Sequence, residues 1–307
     1  MDCIKLRAYA TVANLSCGFD VLGLCLNNPF DEITIQKTDD RKVSINILDS
    51  PYKNIPSEPH KNTGGVPGQL IIKDLKLSYG FNISIKKGIP LCGGLGSSAA
   101  TASGVVFGIN HLLENKLSTK EMLKYAIEGE KVSVSTAHAD NIAPCLLGGL
   151  TLIKDTKSLD VIKLSISEFY IVVIHPNIKI STEDARNILP EEISLRTAIK
   201  QCGELGSLIY AFSINDVSLI KKSMNDFIIE PIRKKLIKGF DEIKHNALSM
   251  GAVGCSISGS GPSIFALCET KEIAQKISNY SSEYYSSINL DCDTYISSIN
   301  QNGPQIV

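Results

Sequence analysis

Apolar and polar positions alternate over several short stretches of this chain, and each such stretch predicts a strand. Ile4 to Ala10 is the first. "NLSCGFDVLGLCL" then carries a turn at Gly18 and a second apolar segment. "DEITIQK" and "KVSINIL" read as two further strands, and Phe81, Ile83 and Ile85 alternate with Asn82, Ser84 and Lys86 in another. "GLTLI", "FYIVVIHP", "GCSIS", "PSIFALC" and "CDTYISSI" complete the set. Helices are expected from Pro67 through Leu77, because a first-turn proline loses no hydrogen bond, and from Ser97 to about His111. Ser118 and Glu121 form an S-x-x-E capping box for a helix to about Lys131. Later helical stretches fall near 192–213, 216–224 and 232–249. "DSPYKNIPSEPH" is rich in turn residues and reads as an exposed loop. Charge and turn residues gather at 154–168, which predicts two domains, 1–160 and 161–307.

Composition narrows the class. The 307 residues are 43% hydrophobic and 21% charged, with a formal net charge of -1. That balance leaves no broad electrostatic footprint for nucleic acid or an anionic membrane, so phosphate recognition must be local. The nine cysteines are odd in number, lack a CxxC pair and sit mostly in apolar runs. They read as buried free thiols of a reducing compartment. No apolar run reaches the length of a membrane span, and no secretory leader is evident. The expectation is a cytoplasmic protein.

The candidate chemistry begins at "PLCGGLGSSAATASG", Pro90 to Gly104, between a predicted strand and a predicted helix. The first turn of a helix leaves backbone N–H groups free and partly positive. Glycines admit positive φ and close approach of a ligand to the backbone. Together they make an anion pocket without a large cation, and the Ser97 and Ser98 hydroxyls can bond phosphate or magnesium. The loop is not a Walker A sequence, whose lysine it lacks. It is not a dinucleotide fingerprint, since Gly93, Gly94 and Gly96 have the wrong spacing.

The string P-x-x-x-G-L-G-S-S-A-A, Pro90 to Ala100, resembles the ATP loop of the GHMP small-molecule kinases. "ATVANLSCGFDVLGLCL" at 10–26, "EGEKVSVSTAHADNIAPCLLGG" at 128–149, "STEDARNILP" at 181–190 and "SGSGPSIFAL" at 258–267 resemble segments of that family's homoserine-phosphorylating branch. The resemblance implies an α+β, two-domain GHMP kinase fold. Its N-terminal half would be like domain 2 of ribosomal protein S5, and its C-terminal half ferredoxin-like. It further implies phosphoryl transfer from ATP, with Mg²⁺, to the hydroxyl of L-homoserine, and a homodimer.

Carried over residue by residue, the resemblance places nucleotide on Pro90, Gly93, Gly94, Leu95, Gly96, Ser97, Ser98, Ala99 and Ala100, and magnesium on Ser98 and Glu130. Arg186 and Arg233 become partners for the substrate carboxylate, because a guanidinium donates two parallel bonds. Asp20 becomes the partner for the ammonium. Asn14, His138, Asn141 and Thr182 would complete the pocket, with Asn141 orienting the accepting hydroxyl. Asparagine takes no proton, so the scheme runs without a dedicated base, and Asp140 as base is the alternative. Asn62 is a candidate at the adenine end. Lys86 and Lys87 either screen phosphate or end a solvated hairpin. Another small alcohol as substrate, or a sensor that binds ATP without turnover, are the competing readings.

Overall fold

The computed structural model describes residues 2–52, 55–133 and 138–307. Its first sheet begins with β1 (Cys3–Ala13) and the long β2 (Leu22–Thr38), antiparallel to one another with a bulge between Tyr9 and Thr11. After β3 (Val43–Ile47), α1 (Gly65–Asp74) crosses over to β4 (Gly80–Lys86), which lies parallel to β3 and antiparallel to β2. The strands thus expected at 31–37 and 42–48 share a sheet but are separated by β4. Then follow α2 (Ser97–Leu112), α3 (Thr119–Glu130) and α4 (Ala139–Leu147). β5 (Leu150–Asp155) pairs with the start of β2, and β6 (Asp160–Leu164) pairs with β5.

α2 is buried on almost every face, as its small-residue sequence allows. Gly104 and Gly108 let it lie against the sheet. A Cβ on Gly104 would stand 2.6 Å from Ile33 Cδ1 and 2.7 Å from Ala8 Cβ. The capping box at Ser118 and Glu121 forms as the sequence predicts.

The second sheet is four-stranded and wholly antiparallel. β7 (Tyr170–Pro176) is followed by α5 (Thr182–Asn187), α6 (Leu195–Ile214), α7 (Val217–Ser223), α8 (Glu230–Arg233) and α9 (Phe240–Ser249). β8 (Gly254–Ile257), β9 (Ile264–Cys268), α10 (Lys271–Ser287) and β10 (Cys292–Ser298) close the unit, with strand order β10-β7-β9-β8. Split βαβ connectivity with that order is ferredoxin-like. The last strand, β11 (Gln305–Ile306), returns to the first sheet and pairs with β1.

The sheets differ from the sequence reading at several points. A boundary at 160 falls inside β6, and the first sheet regains residues from the far end of the chain. The expected helix over 232–249 is broken before α9 by Gly239, whose φ is +84° and whose Cβ would meet Tyr284. Helices α4, α5 and α10 and strand β6 are additions to the sequence reading. Five of the nine cysteines are buried, whereas Cys3, Cys92 and Cys202 are exposed.

One buried ion pair ties the first sheet to α2. Asp31 of β2 and Lys87, just past β4, are both buried and directly bonded. Asp31 also accepts from the backbone N–H of Gly88 and Ile89, at 2.9 and 3.1 Å. The Lys87 ammonium donates to Ser97 O at 2.8 Å and Thr101 Oγ1 at 3.0 Å. Lys87 is therefore not a solvated hairpin end. Removing one member strands a buried charge, at a cost of about 3–5 kcal/mol, whereas removing both leaves none. Asp31→Leu and Lys87→Met should each lower stability by that order. The double variant should lose less than the sum of the two, as read by urea unfolding of all four proteins.

Candidate active site

A cleft of about 430 Å³ opens where the two sheets' loops meet, and its walls come from both halves of the chain. One wall is the loop from Leu91 to Ser98. Two of its glycines are required by conformation and by what stands behind them. Gly94 has φ +72°, and a Cβ there would fall 2.2 Å from Ser258 O. Gly96 has φ +64°, and its Cβ would fall 2.2 Å from Thr11 Oγ1. These clashes lie with protein on the rear of the loop.

The loop is held by its carbonyls. Ser258 Oγ donates to Gly94 O at 2.7 Å, and Thr11 N donates to Leu95 O at 3.1 Å. The backbone N–H of Ser263 donates to Gly93 O at 3.3 Å. With the carbonyls of Gly93, Gly94 and Leu95 bonded, the first amides of α2 remain as backbone donors. No side chain caps that end, where α3, α5, α6, α7 and α10 each have a side-chain cap. An uncapped, partly positive helix end on a cleft is suited to an anion.

Ser98, in the first turn of α2, donates its hydroxyl to Glu130 Oε1 at 2.7 Å. Glu130 closes α3. Its other oxygen is buried and has no hydrogen-bond partner among the described residues. Burial raises the carboxyl above its ordinary range, with Ser98 and then Lys87 opposing. A hard divalent cation bound largely by phosphate oxygens and water needs one or two protein carboxylates. The bare oxygen beside Ser98 fits that need. Among the described residues no cluster of three or more acidic, His or Cys side chains forms a closed metal site.

The opposite end of the cleft carries fixed charges. β1 ends in a left-handed turn, with φ of 76°, 39° and 71° at Asn14, Leu15 and Ser16. That turn directs Asn14 Nδ2 to Gly259 O, at 3.0 Å, and Asn14 Oδ1 accepts from the backbone of Asp20 at 3.2 Å. Arg186 of α5 binds both oxygens of Asp20, at 2.7 and 3.0 Å. His138 Nδ1 lies 3.5 Å from Asp20 Oδ2, while its Nε2 is buried without a partner among the described residues. Burial pulls the His138 pKa down, with Asp20 opposing, so the ring is neutral at pH 7. Arg233 donates to Ala185 O and Gly259 O, both at 2.9 Å. Burial lowers its pKa to about 10, and it stays charged. Both guanidiniums lie over the Phe19 ring, Arg186 at 5.1 Å and Arg233 at 5.0 Å from its centroid, where the ring face attracts both.

Between the ends stands Asn141 of α4. Thr11 Oγ1 donates to its Oδ1 at 2.7 Å, and its Nδ2 lies 3.4 Å from Asp140 Oδ1. Its amide nitrogen therefore has donor capacity left toward the cleft.

The cleft brings together Asn14, Asp20, Gly93, Gly94, Leu95, Gly96, Ser97, Ser98, Glu130, His138, Asn141, Thr182, Arg186 and Arg233, all selected from sequence. Pro90, Ala99 and Ala100, also selected, are buried and do not line the cleft. The Ser97 hydroxyl donates to Ile89 O at 3.1 Å. Asp20 and Arg186, expected to face different ends of a ligand, hold one another. The alternative base, Asp140, is on the cleft wall as well. Sequence reasoning missed Phe19, Thr101 and the backbone of Gly259. Phe19 reads as one more apolar residue of a turn, and only its flanking arginines give it a role.

The comparisons agree with this architecture. The family model for the GHMP kinase N-terminal domain matches residues 69–149, and that for the GHMP kinase C-terminal domain matches 196–287. The chain belongs to the GHMP kinase family, and its two sheets are that family's α+β fold. Within it, the chain is 37% identical to a homoserine kinase of Chlorobium phaeobacteroides, over 100% of both chains. It is 39% identical to one of Methanococcus vannielii, covering 95% of this chain and 98% of the relative. The crystal structure of homoserine kinase from Cytophaga hutchinsonii superimposes with a TM-score of 0.96 at 45% identity, over 100% of this chain and 98% of that one. A mevalonate kinase of L. major, at 15% identity and TM-score 0.75 over 97% and 96%, shares the fold.

Asp140 sets a pH dependence. It is buried and, through desolvation first and repulsion by Asp20 second, its pKa rises to about 7. An unfolded aspartate titrates near 3.9. Between those values the folded chain holds a proton that the unfolded chain has lost, so stability falls as pH rises from about 4 to about 7. Asp140→Asn should remove that slope and melt higher than the wild type at pH 8. Thermal unfolding of both proteins at pH 5, 6.5 and 8 measures it, and parallel curves would exclude this origin.

Proposed function

We propose that this chain transfers the γ-phosphoryl group of ATP to the hydroxyl of L-homoserine, giving ADP and O-phospho-L-homoserine. The observation that carries the kinase reading is the buried, unpartnered oxygen of Glu130 beside Ser98, at the foot of an uncapped helix. The full-length similarity to homoserine kinases supports the substrate. Its five buried free thiols are those of a protein kept reduced, and we place it in the cytoplasm.

In this reading the backbone from Gly93 to Ser98 cradles the polyphosphate, with Leu95 closing the loop's inner side. Ser98 and Glu130 would hold Mg²⁺, which when bound neutralises phosphate charge. The amino-acid end works by exchange. Asp20 and Arg186 satisfy one another, and a zwitterion can replace that pair with two new ones, ammonium to Asp20 and carboxylate to Arg186. Arg233 adds a second cation for the carboxylate. An alcohol without an ammonium would take Arg186 and leave Asp20 unpartnered, which costs more than a weak contact gains. Thr182 lines the same end.

Asn141 Nδ2 donates to the accepting hydroxyl oxygen, and Thr11 and Asp140 fix the amide plane. Phosphoryl transfer of this kind is positioning and charge stabilisation, with little covalent work for the protein. The hydroxyl proton leaves late, to a phosphoryl oxygen.

ADP release with ATP, Mg²⁺ and L-homoserine should be at least tenfold faster than with mevalonate or with no acceptor. Equal rates with all acceptors would overturn the substrate assignment. Glu130→Gln should cut kcat by several tens-fold while melting no lower than wild type without ligands. Glu130 is a raised carboxyl, and its charge weakens the fold as pH rises past about 4. Arg186→Gln should raise the KM for homoserine far more than that for ATP.

A further inference from the structure

The buried residues of α6 are Gln201, Leu208, Ala211 and Phe212, and Gln201 is the polar one. A buried primary amide is costly unless its two N–H groups and its oxygen are all bonded. Here all three are, and their partners belong to two segments far apart in the chain. Gln201 Nε2 donates to Cys17 O at 3.1 Å and to Asp226 Oδ1 at 3.0 Å. Its Oε1 accepts from the backbone N–H of Phe227 at 2.9 Å. Gln201 itself stands outside the cleft wall, so it can act on a ligand only through those partners.

Each partner segment carries a charge of the amino-acid end. Cys17 sits in the turn between Asn14 and Asp20. The backbone N–H of Gly18 donates to Asn14 O at 2.8 Å, and Asn14 Oδ1 holds the Asp20 amide, so the turn is one closed unit. Asp226 accepts from the backbone N–H groups of Ile228, Ile229 and Glu230, at 2.9, 3.0 and 2.9 Å. Those bonds fix the start of α8, a single turn that ends at Arg233. On the cleft side, Asn14 and Arg233 meet at Gly259 O. Gln201 ties the same two segments away from the cleft. Cys17 also reaches Ser223 O through its thiol, at 3.6 Å, but a thiol is a weak donor.

We propose that Gln201 is a positioning residue that sets the separation of Asp20 from Arg233, and so selects an acceptor with an ammonium and a carboxylate on one carbon. The inference rests on the substrate reading above. The two charges of such an acceptor are a fixed distance apart. It gains both contacts only where the charges of the site stand at the matching distance. An acceptor with one charge uses one contact and is indifferent to the spacing. Small displacements matter, since a misplacement of about 1 Å by a change remote from the chemistry can cost about a hundredfold.

Gln201→Met keeps the side-chain length and removes all three bonds. It should raise the KM for L-homoserine about tenfold and leave that for ATP within about twofold. Its preference for L-homoserine over 4-hydroxybutyrate, which lacks the ammonium, should shrink by a similar factor. Partial unfolding alone would lower kcat through fewer active molecules and leave both KM values and the preference in place. Gln201→Glu keeps the bond from Phe227, loses both donations and should shift the same quantities. If neither variant folds, amide hydrogen exchange on the wild type decides. Saturating L-homoserine should slow exchange at Phe227, because the ligand then holds both segments that Gln201 joins, and ADP with Mg²⁺ should slow it less. Unchanged KM values and preference in a folded variant would overturn the proposal, as would exchange at Phe227 that ignores L-homoserine. A wild type with no preference for L-homoserine would instead fail the substrate reading, and this proposal with it.

Discussion

The ion pair between Asp31 and Lys87 is the constraint on which the rest of the site depends. It lies out of water, so neither charge can be solvated instead, and each must keep its partner. Asp31 gathers the amides that follow β4, and Lys87 reaches the first turn of α2. The two ends of the Gly-rich loop are thereby fixed relative to one another. With its ends pinned and its carbonyls bonded from both halves of the chain, the loop has few conformations left. Its shape is set before any ligand arrives, and that is the preorganisation phosphoryl transfer relies on.

The amino-acid end is organised by the opposite means. Asp20 and Arg186 are half-buried and matched to one another, while the buried Arg233 is held by two carbonyls. Phe19 offers its ring to both like-charged guanidiniums, an attraction that offsets part of their repulsion without neutralising them. The loop from Gly259 joins the two ends, since its carbonyl binds both Asn14 and Arg233 while the neighbouring Ser258 binds Gly94. Contacts to the nucleotide side and to the amino-acid side thus share one hinge of backbone.

Much of this was legible in the chain, and the exceptions have physical causes. Strands with strict alternation, such as Phe81 to Lys86, are visible because one face is buried and the other is not. α10 was not expected from the sequence, and serines stand at two of its buried positions. Ser281 buries itself by bonding Ile277 O at 2.8 Å, so a polar letter occupies an apolar site. The cleft residues were readable from their family motifs, which report what each position does rather than what it touches. Pairings across the cleft were not readable. Asp20 and Arg186 are far apart in sequence, and nothing local says that they meet. Lys87 looked like a hairpin end because its partner Asp31 lies on another strand.

The return of β11 to β1 bears on the order in which the molecule can be made. During synthesis β1 leaves the ribosome long before β11, which completes its outer edge. Until then the first sheet carries an open flank next to a finished or finishing ferredoxin-like unit. The nascent chain must therefore keep that flank from pairing with a neighbour while the residues between β1 and β11 are made. The short, two-residue closing strand acts as a latch fitted after both halves are in place.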